Sequence, residues 1–209
     1  NIGTVKIAKK IGIEAQKEFL SKMGMLEKVN VAFPGLGKPI YPRKWREINL
    51  YTISYGHGIA ITPLHIAMGV SASVNGGMLY NPSFLKLLQK PEGKKVLERM
   101  TSHKMRQLLR KTVVEGTGRK ANIKGYEVGG KTGTAERAEL GGYNKKQTIA
   151  SFVAVFPISK PKYLVYVVFD RPDYKFNTGG FVAAPVAGQI INNIAPILGV
   201  KPKEISLQK

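Results

Sequence analysis

The chain reads Gly-Tyr-Glu-Val-Gly-Gly-Lys-Thr-Gly-Thr-Ala from Gly125 to Ala135, and Lys131 belongs to two motifs at once. The first eight residues match the phosphate-loop pattern G-x-x-x-x-G-K-[ST], in which backbone N–H groups and a lysine hold phosphates at the start of a helix. The last five contain Lys-Thr-Gly-Thr, which suits a strand that holds a lysine charge and threonine hydroxyls beside a carboxylate. The flanking residues distinguish the two interpretations.

The phosphate-loop interpretation has one supporting feature and unsuitable flanks. An apolar run ends in Asp170, as a strand that presents a carboxylate to magnesium would. A phosphate loop, however, must follow a buried strand and open a helix. Residues 119–124 are polar, and residues 136–146 lack a helical apolar stripe. A nucleotide hydrolase that uses residues 125–132 and Asp170 therefore stays only as an alternative.

The segments before this stretch have mainly helical patterns. Apolar residues recur at helical spacing near the N-terminus, and Thr62-Pro63 has the form of an N-cap followed by proline. Residues 29–33 alternate like a strand. The helices expected here span residues 2–11, 14–23, 63–74 and 102–114, with a helical turn at 45–50.

Strands dominate the C-terminal half. Apolar and β-branched runs predict strands at 126–128, 149–156 and 163–169. The connection at 159–162 has hairpin length, which predicts an antiparallel pair because a parallel crossover needs about a dozen residues or more. Residues 182–198 predict a terminal helix. The sequence therefore indicates an α+β fold without an internal repeat.

The composition is strongly basic and free of cysteine. Lys and Arg number 33 against 13 Asp and Glu, giving a formal net charge of +20, which attracts nucleic acid, an anionic membrane or an acidic polymer. Because the basic residues are scattered, we interpret them as a solvated surface beside a membrane, with a nucleic-acid-binding module as the alternative. Three dispersed histidines and no cysteine predict no metal site, and no cofactor is expected.

Several segments, in order along the chain, resemble the class B penicillin-binding proteins. Asn1 and the residues after it resemble the end of the family's S-x-N motif and its continuation, and Lys131 to Ala135 is similar to the K-T-G strand. Further similar segments are Ser54-Tyr55-Gly56-His57-Gly58, Thr62-Pro63-Leu64, Val114-Glu115-Gly116-Thr117-Gly118, residues 152–157, the strand to Asp170, and Gly179-Gly180 to Val186.

The resemblance implies a fold and a function. The fold would be the α+β fold shared by serine β-lactamases and penicillin-binding transpeptidases, an antiparallel sheet flanked by helices. The function would be peptidoglycan D,D-transpeptidation through a serine acyl-enzyme, inhibited by β-lactams, in septal wall synthesis during division. The implied partners are stem peptides ending in D-Ala-D-Ala and membrane proteins of the division complex, without nucleic acid. The implied location is the extracytoplasmic face of the bacterial inner membrane.

The resemblance also implies roles for the motif residues. Asn1 would donate its side-chain amide to the substrate backbone, and Lys131 would sustain the local field and the proton network. Thr132 and Thr134 would hold the carboxylate of the substrate or β-lactam, and Gly133 would let the substrate lie close to the strand. The backbone N–H of Thr134 would supply half of the oxyanion hole.

The nucleophile motif S-x-x-K should precede the S-x-N segment, and the sequence begins at Asn1. Three later segments with this spelling, and Ser73-Val74-Asn75 with the spelling of S-x-N, are interpreted as coincidences because the motif needs its structural context. We therefore expect residues 1–209 to be the C-terminal part of one transpeptidase domain, inactive alone. The nucleophile and a membrane anchor would lie in an N-terminal part of the same protein. The three segments are 83–86, 159–162 and 206–209.

Overall fold

The computed structural model describes residues 1–89, 91–139 and 142–203, with the backbone alone for 137–139, 142–146 and Tyr174. Two units divide the chain, Asn1–Arg99 and Met100–Lys209. The last of the three S-x-x-K spellings, 206–209, lies outside the described residues.

The first unit is mainly helical. Its core joins Met23, Ala72 and Val96, and the first two helices pack against the third. The predicted helices at 2–11, 14–23 and 63–74 are confirmed within a residue or two, and the predicted turn at 45–50 is the start of a longer helix. The elements are α1 (Ile2–Ile11), α2 (Ile13–Lys22), α3 (Glu47–Ser54), α4 (Pro63–Val74), and an antiparallel pair, β1 (Met78–Leu79) and β2 (Lys94–Lys95).

The start of α4 depends on a buried histidine. His65 is 1% exposed. Its Nδ1 accepts a hydrogen bond from the Thr62 N–H at 3.2 Å, so its proton is on Nε2, which donates to the Glu27 carbonyl at 2.8 Å. Both ring nitrogens therefore have partners inside the protein, and His65 has a structural role.

The predicted strand at 29–33 is wrong. No strand of the described residues includes this segment, and the Phe33 N–H bonds the Val31 carbonyl two residues earlier at 2.8 Å, so the chain turns there. Val29 is nevertheless buried. The alternation reflects burial in an irregular segment without a neighbouring strand.

The second unit contains the sheet. Helix α5 (Arg99–Val114) leads into it from the first unit and confirms the helix predicted at 102–114. Three antiparallel strands follow in the order β3-β4-β5, so β3 lies at an edge of this sheet. The strands and the final helix are β3 (Gly129–Glu139), β4 (Gly142–Phe156), β5 (Tyr163–Asp170) and α6 (Ala184–Ile197).

The core of the second unit lies between β4 and α6. Phe152 and Phe156 on β4 are fully buried together with Ala187 and Ile191 of α6 and Val113 of α5. Burying each of the larger side chains stabilises the fold by about 1.5–3 kcal/mol. The segment Gly179–Ile197 is long and apolar enough to cross a membrane, with a mean hydropathy of 1.2. Its buried residues pack in this core, as those of a folded domain's central helix do.

Three boundaries in the second unit differ from the prediction, and the first is that β4 begins at Gly142 instead of 149. Residues 126–128 are not a strand, because the Tyr126 N–H bonds the Ile123 carbonyl in a turn and the Val128 N–H bonds the Tyr126 carbonyl. The strand begins instead at Gly129, where a Cβ would lie 2.6 Å from Cγ1 of Ile158, so only glycine fits beside that buried isoleucine. Helix α6 begins two residues after the predicted 182 because residues Gly179–Ala183 form a wider π-helical turn.

Glu127 makes the folded state sensitive to acid. The Ser159 hydroxyl donates to its carboxylate and Lys203 pairs with it at 2.9 Å, and these partners lower the pKa of Glu127 below its usual range although partial burial opposes them. A depressed pKa gives stability above the unfolded-state pKa that is lost as the pH falls through the folded-state pKa. We expect Glu127→Gln to lower the free energy of unfolding near neutral pH, with the difference from wild type shrinking below about pH 4.5. Urea unfolding at several pH values measures this, and a difference independent of pH would contradict it.

Candidate active site

Strand β3 carries the four residues of the predicted substrate-binding motif. Lys131 pairs with Val153, and Thr132, Gly133 and Thr134 pair with the preceding residues of β4 in turn. Because alternate side chains leave opposite faces of a strand, Thr132 and Thr134 share one face. A strand continues from Gly129 to Glu139, so no helix begins at Lys131 and the phosphate-loop interpretation is wrong.

The threonine side chains open into a cleft of about 460 Å³. The lining brings together four threonines, two cationic side chains, a phenyl ring and two glycines. Hydroxyl donors and positive charge in one cleft suit a small anionic group such as a carboxylate. The lining residues are Gly116, Thr117, Arg119, Lys120, Thr132, Thr134, Thr178, Gly180 and Phe181.

Two hydrogen bonds orient the threonine hydroxyls. The Gly179 N–H donates to Thr134 Oγ1 at 3.0 Å. Thr117 Oγ1 and Thr132 Oγ1 lie 3.0 Å apart and share one hydrogen bond. The loop before the strand and the loop before α6 therefore both meet β3 at the motif.

The pair Gly179-Gly180 allows the second of these loops to approach β3. A Cβ at Gly179 would lie 2.1 Å from the Ser151 carbonyl oxygen and 2.5 Å from that of Gly133. A Cβ at Gly180 would lie 2.7 Å from the Thr117 carbonyl oxygen. Because these neighbours are backbone atoms, a side chain at Gly179 would push the segment away from the sheet, and one at Gly180 would push it away from the turn that holds Thr117.

Lys131 is an exposed residue of the same strand. Its Nζ donates to the Thr132 carbonyl oxygen at 2.7 Å, which holds the ammonium against the strand backbone. By strand alternation its side chain leaves the face opposite Thr132 and Thr134. The ammonium is therefore held at the strand backbone, next to the segment that carries the threonine hydroxyls.

A cationic and aromatic group forms part of the cleft wall. Lys120 Nζ lies 3.5 Å from the ring centroid of Phe181, and Phe181 stacks on Phe176 with centroids 5.1 Å apart. A cation over an exposed phenyl ring is worth about 0.5–1 kcal/mol, enough to favour one position for the ammonium. Sequence reasoning did not assign Arg119, Lys120 or Phe181 to the site.

Asn1 belongs to the first unit, where it precedes α1. Its backbone carbonyl accepts the Val5 N–H at 3.0 Å, and its side chain makes no capping hydrogen bond. The structure thus brings together Lys131 to Thr134 within the second unit, whereas the role predicted for Asn1 stays a prediction.

The serines with motif-like spellings have local structural roles. Ser83 Oγ donates to the Leu85 carbonyl at 2.8 Å and accepts the Leu85 N–H, Ser159 Oγ donates to Glu127, and neither serine begins a helix. Ser73 lies inside α4 and donates to the Gly69 carbonyl at 2.8 Å. In the described part of the chain, no three His, Asp or Glu side chains are grouped to hold a metal ion.

Comparison with protein families decides the classification. Residues 1–192 match the family described as the penicillin binding protein transpeptidase domain. The chain belongs to this family. The match and the antiparallel sheet confirm the α+β transpeptidase fold, and they support neither a nucleotide hydrolase nor a nucleic-acid-binding module.

Relatives of this penicillin-binding transpeptidase chain include a peptidoglycan D,D-transpeptidase and a sporulation protein. The probable peptidoglycan D,D-transpeptidase FtsI of Caulobacter vibrioides is 37% identical over 97% of this chain and 37% of its own length. Stage V sporulation protein D of Bacillus subtilis is 35% identical over 100% of this chain and 34% of its own length. The chain thus spans little more than a third of these relatives.

A solved structure gives the same result for the fold. The apo transpeptidase domain of penicillin-binding protein 3 from Burkholderia pseudomallei is 32% identical and matches with a TM-score of 0.90. The match covers 98% of this penicillin-binding transpeptidase chain and 63% of the Burkholderia chain.

Proposed function

We propose that the protein to which this chain belongs is a division-type peptidoglycan D,D-transpeptidase that β-lactams inhibit. The observation that carries the proposal is the cleft on β3, where Thr132 and Thr134 present hydroxyls next to Arg119 and Lys120. Such a cleft suits a terminal carboxylate, the charged group of a D-Ala-D-Ala stem peptide and of a β-lactam. The names of the curated relatives support this substrate class.

The reaction is acyl transfer through a serine ester. A serine hydroxyl attacks the penultimate D-alanine carbonyl, its proton passes to a base, and the terminal D-alanine leaves as a free amino acid. The amine of a neighbouring stem peptide then attacks the ester and regenerates the serine. The nucleophile would be supplied by an N-terminal part of the same protein, together with its lysine base and the membrane anchor.

The residues of this chain act on the substrate and on the developing charge. The Thr132 and Thr134 hydroxyls hold the carboxylate, and the backbone N–H of Thr134 donates to the oxyanion that forms in the transition state. Lys131 contributes positive charge beside the reacting groups, and Asn1 donates its amide to the substrate backbone. Gly133 leaves room for the substrate backbone beside the strand.

The proposed location is the extracytoplasmic face of the inner membrane at the division septum. A transpeptidase that works on peptidoglycan must face the cell wall, and relatives named FtsI support a place among the membrane proteins of the division complex. The net charge of +20 suits a surface close to anionic lipid headgroups.

Labelling with fluorescent penicillin tests the proposal. The full-length protein should form a covalent adduct that survives a denaturing gel, and unlabelled ampicillin added first should prevent it. Peptide mass spectrometry should place the adduct on a serine that precedes Asn1 in the full-length sequence. An adduct on Ser83 or Ser159 would contradict the site assignment, and no adduct at all would contradict the function. Heat-denatured protein serves as the control for nonspecific labelling.

A further inference from the structure

The hydroxyl of Thr117 lies in the cleft but on a different segment from the motif strand. It stands in the turn after α5, fifteen positions before Thr132, and its Oγ1 is 3.0 Å from Thr132 Oγ1. Each threonine hydroxyl has one proton to donate and two lone pairs that accept. One of the two hydroxyls therefore donates to the other, and the acceptor keeps its own proton for a third group.

The hydroxyl of Thr134 also accepts a hydrogen bond, but from a backbone donor. The Gly179 N–H can only donate, so Thr134 Oγ1 is the acceptor of that bond and keeps its proton free. Thr134 is exposed in the cleft, where its free O–H can reach a ligand. An anion that takes the Thr134 proton would also favour the arrangement in which Thr132 keeps a free proton.

We propose that Thr117 is a positioning residue that donates its proton to Thr132 and so directs the Thr132 O–H toward the substrate carboxylate. This inference rests on the proposed function. In this arrangement, Thr117 donates to the Thr132 hydroxyl and the Gly179 N–H donates to the Thr134 hydroxyl. Both motif hydroxyls then point their protons at one anion, and each bond to the charged group is strengthened by the donor behind it.

The neighbouring cations favour an anion as the group that accepts the free hydroxyl protons. Arg119 and Lys120 line the same cleft, and Lys120 is held over the Phe181 ring. Their positive charge attracts an anion to the cleft, and a bound anion accepts protons but cannot donate them. Thr132 and Thr134 leave the same face of β3, so a carboxylate bound at that face has two donors when Thr132, rather than Thr117, keeps the free proton.

The test compares two β-lactams that differ in a single charge. Second-order acylation rate constants of the full-length protein are measured with benzylpenicillin and with its methyl ester, which lacks the carboxylate. Thr117→Val keeps the shape of the side chain and removes the hydroxyl, Thr117→Ser restores the hydroxyl, and Thr112→Val on α5 is the matched control outside the cleft. Loss of one hydrogen bond near a charged group should lower the benzylpenicillin rate constant about 5- to 10-fold in Thr117→Val.

The expected pattern distinguishes positioning from a structural role. The ester rate constant should stay within about two-fold of wild type in Thr117→Val, and Thr117→Ser and Thr112→Val should behave like wild type toward both compounds. Equal losses for the acid and the ester, or no loss for either, would overturn the inference. Failure of wild type itself to be acylated by benzylpenicillin would instead overturn the proposed function, and the inference with it.

Discussion

Replacing Gly179 by alanine is expected to destabilise the second unit by about 3 kcal/mol, among the largest effects of any single methyl group in this chain. The new Cβ would lie 2.1 Å from the Ser151 carbonyl oxygen and 2.5 Å from the Gly133 carbonyl oxygen, and neither backbone atom can rotate away. Either the loop before α6 or the strands must shift, and the Gly179 N–H then loses Thr134.

Urea unfolding followed by circular dichroism measures the effect of Gly179→Ala. Gly37→Ala is the matched control, because a Cβ at Gly37 would meet no atom within 4 Å. That control should change the free energy of unfolding by less than about 1 kcal/mol. A Gly179→Ala protein as stable as wild type would show that the loop does not contact β3 as described.

Lys131→Met is expected to lower the acylation rate constant for benzylpenicillin about 100-fold while leaving the fold intact. Methionine keeps the unbranched apolar length of the side chain and removes the charge beside the reacting groups. Because Lys131 is exposed and bonds only the next carbonyl among the contacts described, stability should change by less than about 0.5 kcal/mol.

The control for Lys131 is another exposed lysine of the same unit. Lys160 lies in the short connection between β4 and β5, and Lys160→Met removes an equal charge without touching the motif strand. It should be acylated at the wild-type rate. If Lys131→Met and Lys160→Met lowered the rate equally, the effect of Lys131 would be that of net charge alone.

The sequence predicts the helices of this chain better than its irregular segments. The helix that begins at Pro63 has a start signal in Thr62-Pro63. The connection at 159–162 is so short that it predicts the antiparallel pairing of its two strands. The segments 29–33 and 126–128 misled the prediction, since buried apolar residues such as Val29 and Val128 also occur where the backbone turns. Alternation reports which side chains are buried, and a strand also needs a neighbouring strand.

The site could be predicted only where its residues are adjacent in sequence. Thr132 and Thr134 were expected to hold one carboxylate; both line the same cleft, and their binding of a carboxylate stays a prediction. Thr134 and Gly179 are 45 positions apart, and no local sequence pattern predicts their contact. Phe181 was overlooked because a phenylalanine after two glycines has the pattern of an ordinary helix start.

The close contact between Gly129 and Ile158 has a consequence for how this sequence can change over generations. A Cβ at position 129 would lie 2.6 Å and 2.8 Å from two side-chain atoms of Ile158, so alanine at 129 is tolerated only after Ile158 has become smaller. The smaller residue alone leaves a cavity that the new methyl group would then partly fill. The two substitutions are therefore non-additive, and their order of appearance matters. A lineage that acquires alanine at 129 first passes through a protein destabilised by the collision. A lineage that shortens Ile158 first passes through a protein destabilised only by a small cavity.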